Sequence, residues 1–278
     1  MFREGPGSRT PKRTTGRGAM AGVMVGGIPF LRTGNGPPLV FIRTLTPSWQ
    51  NPRGLRAWAE RRMLKSAART HSVYALGRSG ELPDQLSMAD FAAQYAGAIQ
   101  DHFGMAVPVI GWSTSGAIAL QLAADHPEVV ERLVVIAGAA RLSETGRRMQ
   151  SRYTRRLIRG DRAAASEMVP QVYRSKLSRW VVSVMLASTP AAPDSHGLVV
   201  MLDAEDRFDL TPRLAEVTAQ TLVIGGGRDV FYPPELTQIT ADGVRDGRRI
   251  LYPYRKHHQI AVGARFRADL AGFLTAGR

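Results

Sequence analysis

The stretch Val107-Pro108-Val109-Ile110-Gly111-Trp112-Ser113-Thr114-Ser115-Gly116 passes from an apolar run into a second one that begins at Ala117. The first run has strand character and the second helical character, so Ser113 sits at a sharp strand-to-helix turn. A serine hydroxyl is a weak nucleophile unaided. A tight turn holds its oxygen clear of the strand, and the N–H groups that open the next helix point towards an incoming oxyanion. That geometry suits acyl chemistry.

Working outward, strands and helices alternate on both sides of this turn. Upstream, Val23 to Arg32 reads as a strand or hairpin closed by Gly34-Asn35-Gly36-Pro37-Pro38. Leu39 to Arg43 is a short apolar strand, Leu55 to Ala68 a helix, and Ser72 to Leu76 a strand ending at Gly77-Arg78-Ser79-Gly80. Ser87 and Asp90 have capping-box spacing, and Met88, Phe91, Tyr95, Ile99 and Phe103 form one helical apolar stripe. Downstream, Ser115 to Ala124 reads as a helix, Arg132 to Ile136, Thr221 to Ile224 and Ile250 to Tyr252 as strands, and Ala261 to Thr275 as a closing helix. Continuously apolar strands separated by amphipathic helices predict an α/β fold: a mostly parallel central sheet with helices on both faces.

Between Ala140 and about Met201 the alternation gives way to helical segments, which predicts an inserted helical cap over residues 141–201. The core is then 20–140 and 202–278. Residues 1–19 are expected to be a disordered basic tail, because a stretch so rich in Gly, Pro, Thr and Arg buries too little apolar surface to order itself. Met20 or Met24 is an alternative start. The apolar segment Ala19 to Leu31 is interrupted by Gly22, Gly26, Gly27 and Pro29, which argues against a signal peptide.

A chain of 278 residues with 44% hydrophobic content can form one large domain with an insertion. It has no cysteine, which excludes disulfides, thiol nucleophiles and thiolate metal sites and fits a cytoplasmic location. No apolar run approaches the roughly 18 residues of a membrane span. The net charge of +14 is concentrated in two places. Residues 1–19 carry five basic residues against Glu4, and residues 141–180 carry eleven basic against three acidic. Within the second block, Arg148, Arg152, Arg155 and Arg159 form a helical stripe, with Met149, Tyr153 and Leu157 on another face. Such a stripe either draws anionic substrates, acidic partners or a membrane surface, or is a solvated face without a ligand. No nucleic-acid-binding motif accompanies it.

Gly111-Trp112-Ser113-Thr114-Ser115-Gly116 resembles the Gly-x-Ser-x-Gly nucleophile elbow of the α/β-hydrolase superfamily, with Ser115 in place of the second glycine and Gly116 following at once. The resemblance spans roughly residues 22 to 276. It implies a triad in the order serine, acid, histidine. Leu222-Val223-Ile224-Gly225-Gly226-Gly227-Arg228-Asp229 is similar to the family's strand and loop that present the acid, which points to Asp229 ahead of Asp203, Asp206 or Asp209. Taken by itself, Asp229 could equally be a turn or helix-capping residue.

Tyr252-Pro253-Tyr254-Arg255-Lys256-His257-His258 keeps the family's proline-to-histidine interval with Lys256 in place of glycine. His257 is preferred as the base, with His258 as the alternative. The elbow implies the backbone N–H of Thr114 as one oxyanion donor. The loop after Leu39 to Arg43 implies that of Leu45 as the second, although Arg43-Thr44 stands where the family often has His-Gly. His71, His102 and His126 read as structural, while His196 falls in the cap, where it could line a substrate.

Glycines 225–227 fit no phosphate-binding pattern, and no metal-ligand spacing is present. The reading implied by the resemblance is a serine hydrolase without cofactor or metal, cleaving a small ester, lactone or related acyl compound through an acyl-enzyme. Acyl transfer with the same triad and non-catalytic binding of a small ligand are the alternatives. Oligomeric state leaves no trace in the sequence.

Overall fold

Strands apolar at consecutive positions need cover on both faces, and the chain supplies it. The computed structural model describes residues 19–43, 50–80, 82–161, 164 and 195–276. It contains β1 (Ala19–Met24), β2 (Ile28–Thr33), β3 (Pro38–Ile42), α1 (Gly54–Leu64), β4 (Ser72–Leu76), α2 (Met88–Phe103), β5 (Val107–Trp112), α3 (Thr114–Asp125) and β6 (Val130–Ile136). There follow α4 (Glu144–Ile158), α5 (Ser195–Asp206), β7 (Gln220–Gly226), α6 (Pro234–Gly243), β8 (Gly247–Tyr252) and α7 (Ala264–Thr275).

The strands form one sheet in the order β1-β2-β4-β3-β5-β6-β7-β8. β1 pairs antiparallel with β2, and β2 with β4; every other pairing is parallel. Alternate residues feed opposite cores. Val40 and Ile42 of β3 face a core shared with α2, α3 and α5, whereas Leu39 and Phe41 face one shared with Leu64 of α1 and Phe266, Leu270 and Leu274 of α7. Leu133, Val134 and Val135 in the middle of the sheet are wholly buried.

The elements match the sequence reading with shifted boundaries. The hairpin is β1 and β2, starting at Ala19, the last residue assigned to the tail. The stripe on α2 is buried at Met88, Phe91, Tyr95 and Ile99, and Ser87 and Asp90 form the capping box, with Asp90 N–H donating to Ser87 Oγ at 3.2 Å and Ser87 N–H to Asp90 Oδ2 at 2.8 Å. Helix α1 ends at Leu64 rather than Ala68, a separate short 3₁₀ turn following at Ala67–Arg69. The closing helix starts at Ala264, behind the positive φ of Gly263, and a 3₁₀ turn spans His257–Gln259.

Helices α4 and α5 pack against each other, with Gln150 Nε2 of α4 donating to the carbonyl of Leu202 at 3.1 Å. Most of the expected cap segment lies outside the described residues, and α5 runs on past Met201, the expected boundary. Arg148, Arg152, Arg155 and Arg159 are all exposed on α4. Among the described residues no helix is long and apolar enough to cross a membrane, and no cluster of His, Asp and Glu is arranged to hold a metal ion.

Candidate active site

In a parallel sheet every strand ends at the same edge, where loops can bring distant residues together. Ser113 follows β5 at that edge. Its backbone has φ 60 and ψ −129, a conformation a side chain rarely adopts, and its N–H donates to Ile136 O on β6 at 2.8 Å. The turn closes so tightly that a Cβ on Gly111 would lie 2.2 Å from Ser115 O. The departure at Ser115 is absorbed locally: the side chain is fully buried, and its hydroxyl donates to Trp112 O at 2.9 Å. Thr114 is the first residue of α3, so its N–H has no acceptor within the helix. Leu45 lies outside the described residues.

Asp229 follows β7, and His257 lies in the turn after β8. Gly225 and Gly226 belong to β7 itself, so the turn that delivers Asp229 is shorter than the three glycines suggest. The chain closes there because Asp229 N–H donates to Gly226 O at 3.1 Å. Gly227 allows the two loops to touch, since a Cβ there would lie 2.3 Å from Pro253 O.

Ser113 Oγ lies 2.8 Å from His257 Nε2, and His257 Nδ1 lies 2.8 Å from Asp229 Oδ2. A carboxylate only accepts, so Nδ1 carries the ring proton and Nε2 is left to accept from the serine. The other oxygen, Asp229 Oδ1, accepts from the N–H groups of Phe231 at 2.9 Å and Tyr232 at 3.3 Å, which fixes the carboxylate plane. The Tyr232 ring stacks on the imidazole with centroids 5.9 Å apart and planes 25° apart, and Phe231 lies at 5.0 Å. Asp229 is buried. Hydroxyl, ring and carboxylate therefore form an unbroken chain along which a proton can leave the serine as its oxygen attacks.

His258 turns elsewhere. Its ring meets that of His257 nearly edge-on at 6.1 Å, and burial together with the neighbouring His257 lowers its pKa. The other acids considered are engaged away from the imidazole. Asp203 pairs with Arg207 at 2.7 Å, Asp206 accepts from Gln150 at 3.0 Å, and Asp209 lies 3.8 Å from Arg141. None of the remaining histidines joins the site. His71 is buried beside Thr70, His102 packs tilted or edge-on among Phe30, Tyr74 and Phe103, His126 lies 3.5 Å from Glu128, and exposed His196 lies 3.7 Å from Asp84.

Just past the end of β3 stands a buried arginine. Arg43 Nε and Nη2 donate to the two carboxylate oxygens of Glu60 at 2.7 and 2.9 Å, and Nη1 donates to Asn51 Oδ1 at 3.1 Å.

The sequence model of the family described as "alpha/beta hydrolase fold" matches residues 37–183, more than half of the chain. The chain belongs to the α/β-hydrolase fold family. Among its relatives, a pyrrolizixenacetamide deacetylase of Xenorhabdus hominickii is 27% identical over 154 residues, which cover 54% of this chain and 58% of the deacetylase. A protein of Serratia proteamaculans named as a proposed carbamate hydrolase, RutD, is 29% identical over 183 residues, covering 64% of this chain and 68% of that protein. The crystal structure of a hydrolase from Pseudomonas aeruginosa PA01 superposes with a TM-score of 0.74 at 19% identity, over 94% of this chain and all of that one.

Two polar residues beside the site of this α/β hydrolase escape the sequence reading, Glu205 and Tyr232. Glu205 is fully buried. The Tyr232 hydroxyl donates to Glu205 Oε1, and Thr114 Oγ1 donates to Oε2 at 2.8 Å. Burial pushes the Glu205 carboxyl up to about 7 against these hydrogen bonds, which act to lower it. A signal for Glu205 existed in the sequence: it falls in helical register with Leu198, Met201, Leu202 and Phe208, a charged residue in an apolar stripe.

Proposed function

We propose that this hydrolase of the α/β fold cleaves a small ester, lactone or related acyl compound with Ser113 as nucleophile, His257 as base and Asp229 as the acid that orients it. The observation that carries the reading is the continuous contact Ser113 Oγ to His257 Nε2 and His257 Nδ1 to Asp229 Oδ2, each 2.8 Å. The imidazole takes the serine proton as Oγ attacks the acyl carbon. Asp229 holds the Nδ1–H tautomer and stabilises the imidazolium. The ring then gives its proton to the leaving group, and water releases the acyl group by the same steps in reverse order.

The developing oxyanion is met by the N–H of Thr114 at the mouth of α3, with that of Leu45 as the second donor; one such donor is typically worth roughly 10² to 10³ in rate. Helix α4 and the first half of α5 belong to a cap spanning 141–201 on a core of 20–140 and 202–278. The names of two relatives, a deacetylase and a proposed carbamate hydrolase, support a reaction at an acyl carbon. No step calls for a cofactor.

A fluorophosphonate probe tests the reading directly. It labels Ser113 in the folded chain, and Ser113→Ala abolishes labelling and lowers turnover of short-chain esters by roughly 10⁴-fold or more. Folded protein that takes up no label at Ser113 refutes the proposal.

A further inference from the structure

Helix α5 buries Leu198, Met201, Leu202 and Phe208, and in the same face it buries Glu205 at 1% exposure. A carboxyl there needs strong partners. Two donors meet it from two different elements: Thr114 Oγ1 from the first position of α3 and the Tyr232 hydroxyl from the loop after β7, while Gln150 of α4 is spent on Leu202 O and Asp206 next to it. No cation pairs with Glu205 among the described residues; the charged neighbour that acts on it is Asp206, a like charge.

Both donors belong to the site described above. Thr114 carries the backbone N–H aimed at the oxyanion. The Tyr232 ring lies roughly parallel to that of His257, with centroids 5.9 Å apart, and its own N–H donates to Asp229 at 3.3 Å. We propose that Glu205 is a positioning residue: one buried carboxyl ties the turn that carries the oxyanion donor to the tyrosine beside base and acid, and couples both to helix α5. The inference rests on the catalytic reading of Ser113, His257 and Asp229. Glu205 touches no reacting atom and acts only through Thr114 and Tyr232.

For stability alone, a buried carboxyl without a counter-cation is a poor choice, because desolvation opposes its hydrogen bonds. What it offers over an amide of the same size is acceptor capacity. Both oxygens accept, so Thr114 and Tyr232 can donate at once, one to each. In Glu205→Gln one oxygen becomes an NH₂ group facing a donor, and Thr114 or Tyr232 is released from its place.

The carboxyl also has a reason to titrate within the working range, since burial raises it to about 7. The ionisable groups acting on it are Asp206 on its own helix and Tyr232 from the loop after β7, with Asp229 acting in turn on Tyr232 and Arg147 of α4 on Asp206. One turn earlier on α5, Arg78 Nη1 donates to Met201 Sδ at 3.2 Å.

The test is the rate of Ser113 labelling by a fluorophosphonate from pH 5 to 9, with thermal melts of each variant. Glu205→Gln is expected to fold, to keep the probe's apparent affinity and to react roughly tenfold more slowly at saturating probe. Its pH profile is expected to lack an ionisation near neutrality that the parent shows. Thr114→Val should slow labelling similarly, and the double variant should be no slower than either single one. Equal rates with superimposable pH profiles in folded Glu205→Gln overturn the inference. If that variant does not fold, Tyr232→Phe, which removes a single donor, decides in the same way: slower labelling supports the inference and an unchanged rate and profile overturn it. Failure of the parent chain to label sinks the catalytic reading as well, whereas labelling indifferent to Glu205 sinks this inference alone.

Discussion

Two glutamates lie beneath the C-terminal edge of the sheet, and the protein holds them in opposite ways. Glu60, under the end of β3, is gripped by both arms of the Arg43 guanidinium at 2.7 and 2.9 Å. Glu205, under the elbow, meets two hydroxyls and no cation among the described residues. In the first region a cation compensates the charge, and the fork geometry fixes the strand end against α1. In the second no cation among the described residues compensates it, and the carboxyl is free to change its protonation. The comparison separates a clamp that fixes backbone from a junction that reports on the site above it.

Breaking the clamp should have the largest effect. Arg43→Met leaves Glu60 without its cation, and a loss of about 3–5 kcal/mol is expected, read as a melting temperature lowered by roughly 10 °C. A variant melting within a few degrees of the parent would erase the contrast between the two regions.

The junction should reveal itself through pH. Raised from an ordinary 4.5 to about 7, Glu205 keeps its proton in the folded chain after the unfolded chain has released it. Its stabilising contribution is therefore complete below pH 4.5, declines as pH rises towards 7 and is absent above that; the span is on the order of 3 kcal/mol. Urea unfolding at pH 5 and pH 8 measures it, and Glu205→Gln should remove that part of the slope. A parent and variant with parallel slopes would mean the carboxyl does not titrate there.

Smaller changes sharpen the same contrast. Tyr232→Phe deletes one donor to Glu205 and should lower the urea midpoint by the equivalent of about 1–2 kcal/mol. Asn51→Ala removes a bond to Arg43 at 3.1 Å but leaves the guanidinium–carboxylate pair intact. About 0.5–1 kcal/mol is expected there, the least of the series.

Much of this architecture could be read from the sequence because it is periodic. The apolar runs of β5, β6 and β7 and the stripe on α2 follow from burial, and burial is written residue by residue. Ser113 and Asp229 stand at strand ends marked by glycine. What the sequence did not decide was which of two adjacent histidines turns inward, because that depends on how the turn after β8 closes on β7 through Gly226 and Gly227. The glycines themselves read as a loose turn, whereas two belong to the strand and the tightness lies in a contact with residues some thirty positions away. Glu205 and Tyr232 were missed for a related reason. Their bond joins a helix to a loop across the fold, and only the charge within an apolar stripe hinted at one end of it.

The backbone at Ser113, with φ 60 and ψ −129, is one that glycine would occupy without protest. Ser113→Gly would relax a strained turn while deleting its reactive oxygen. A laboratory lineage rewarded only for surviving heat would thus find silence at this position attractive, and thermal tolerance would be a misleading guide to whether the molecule still works.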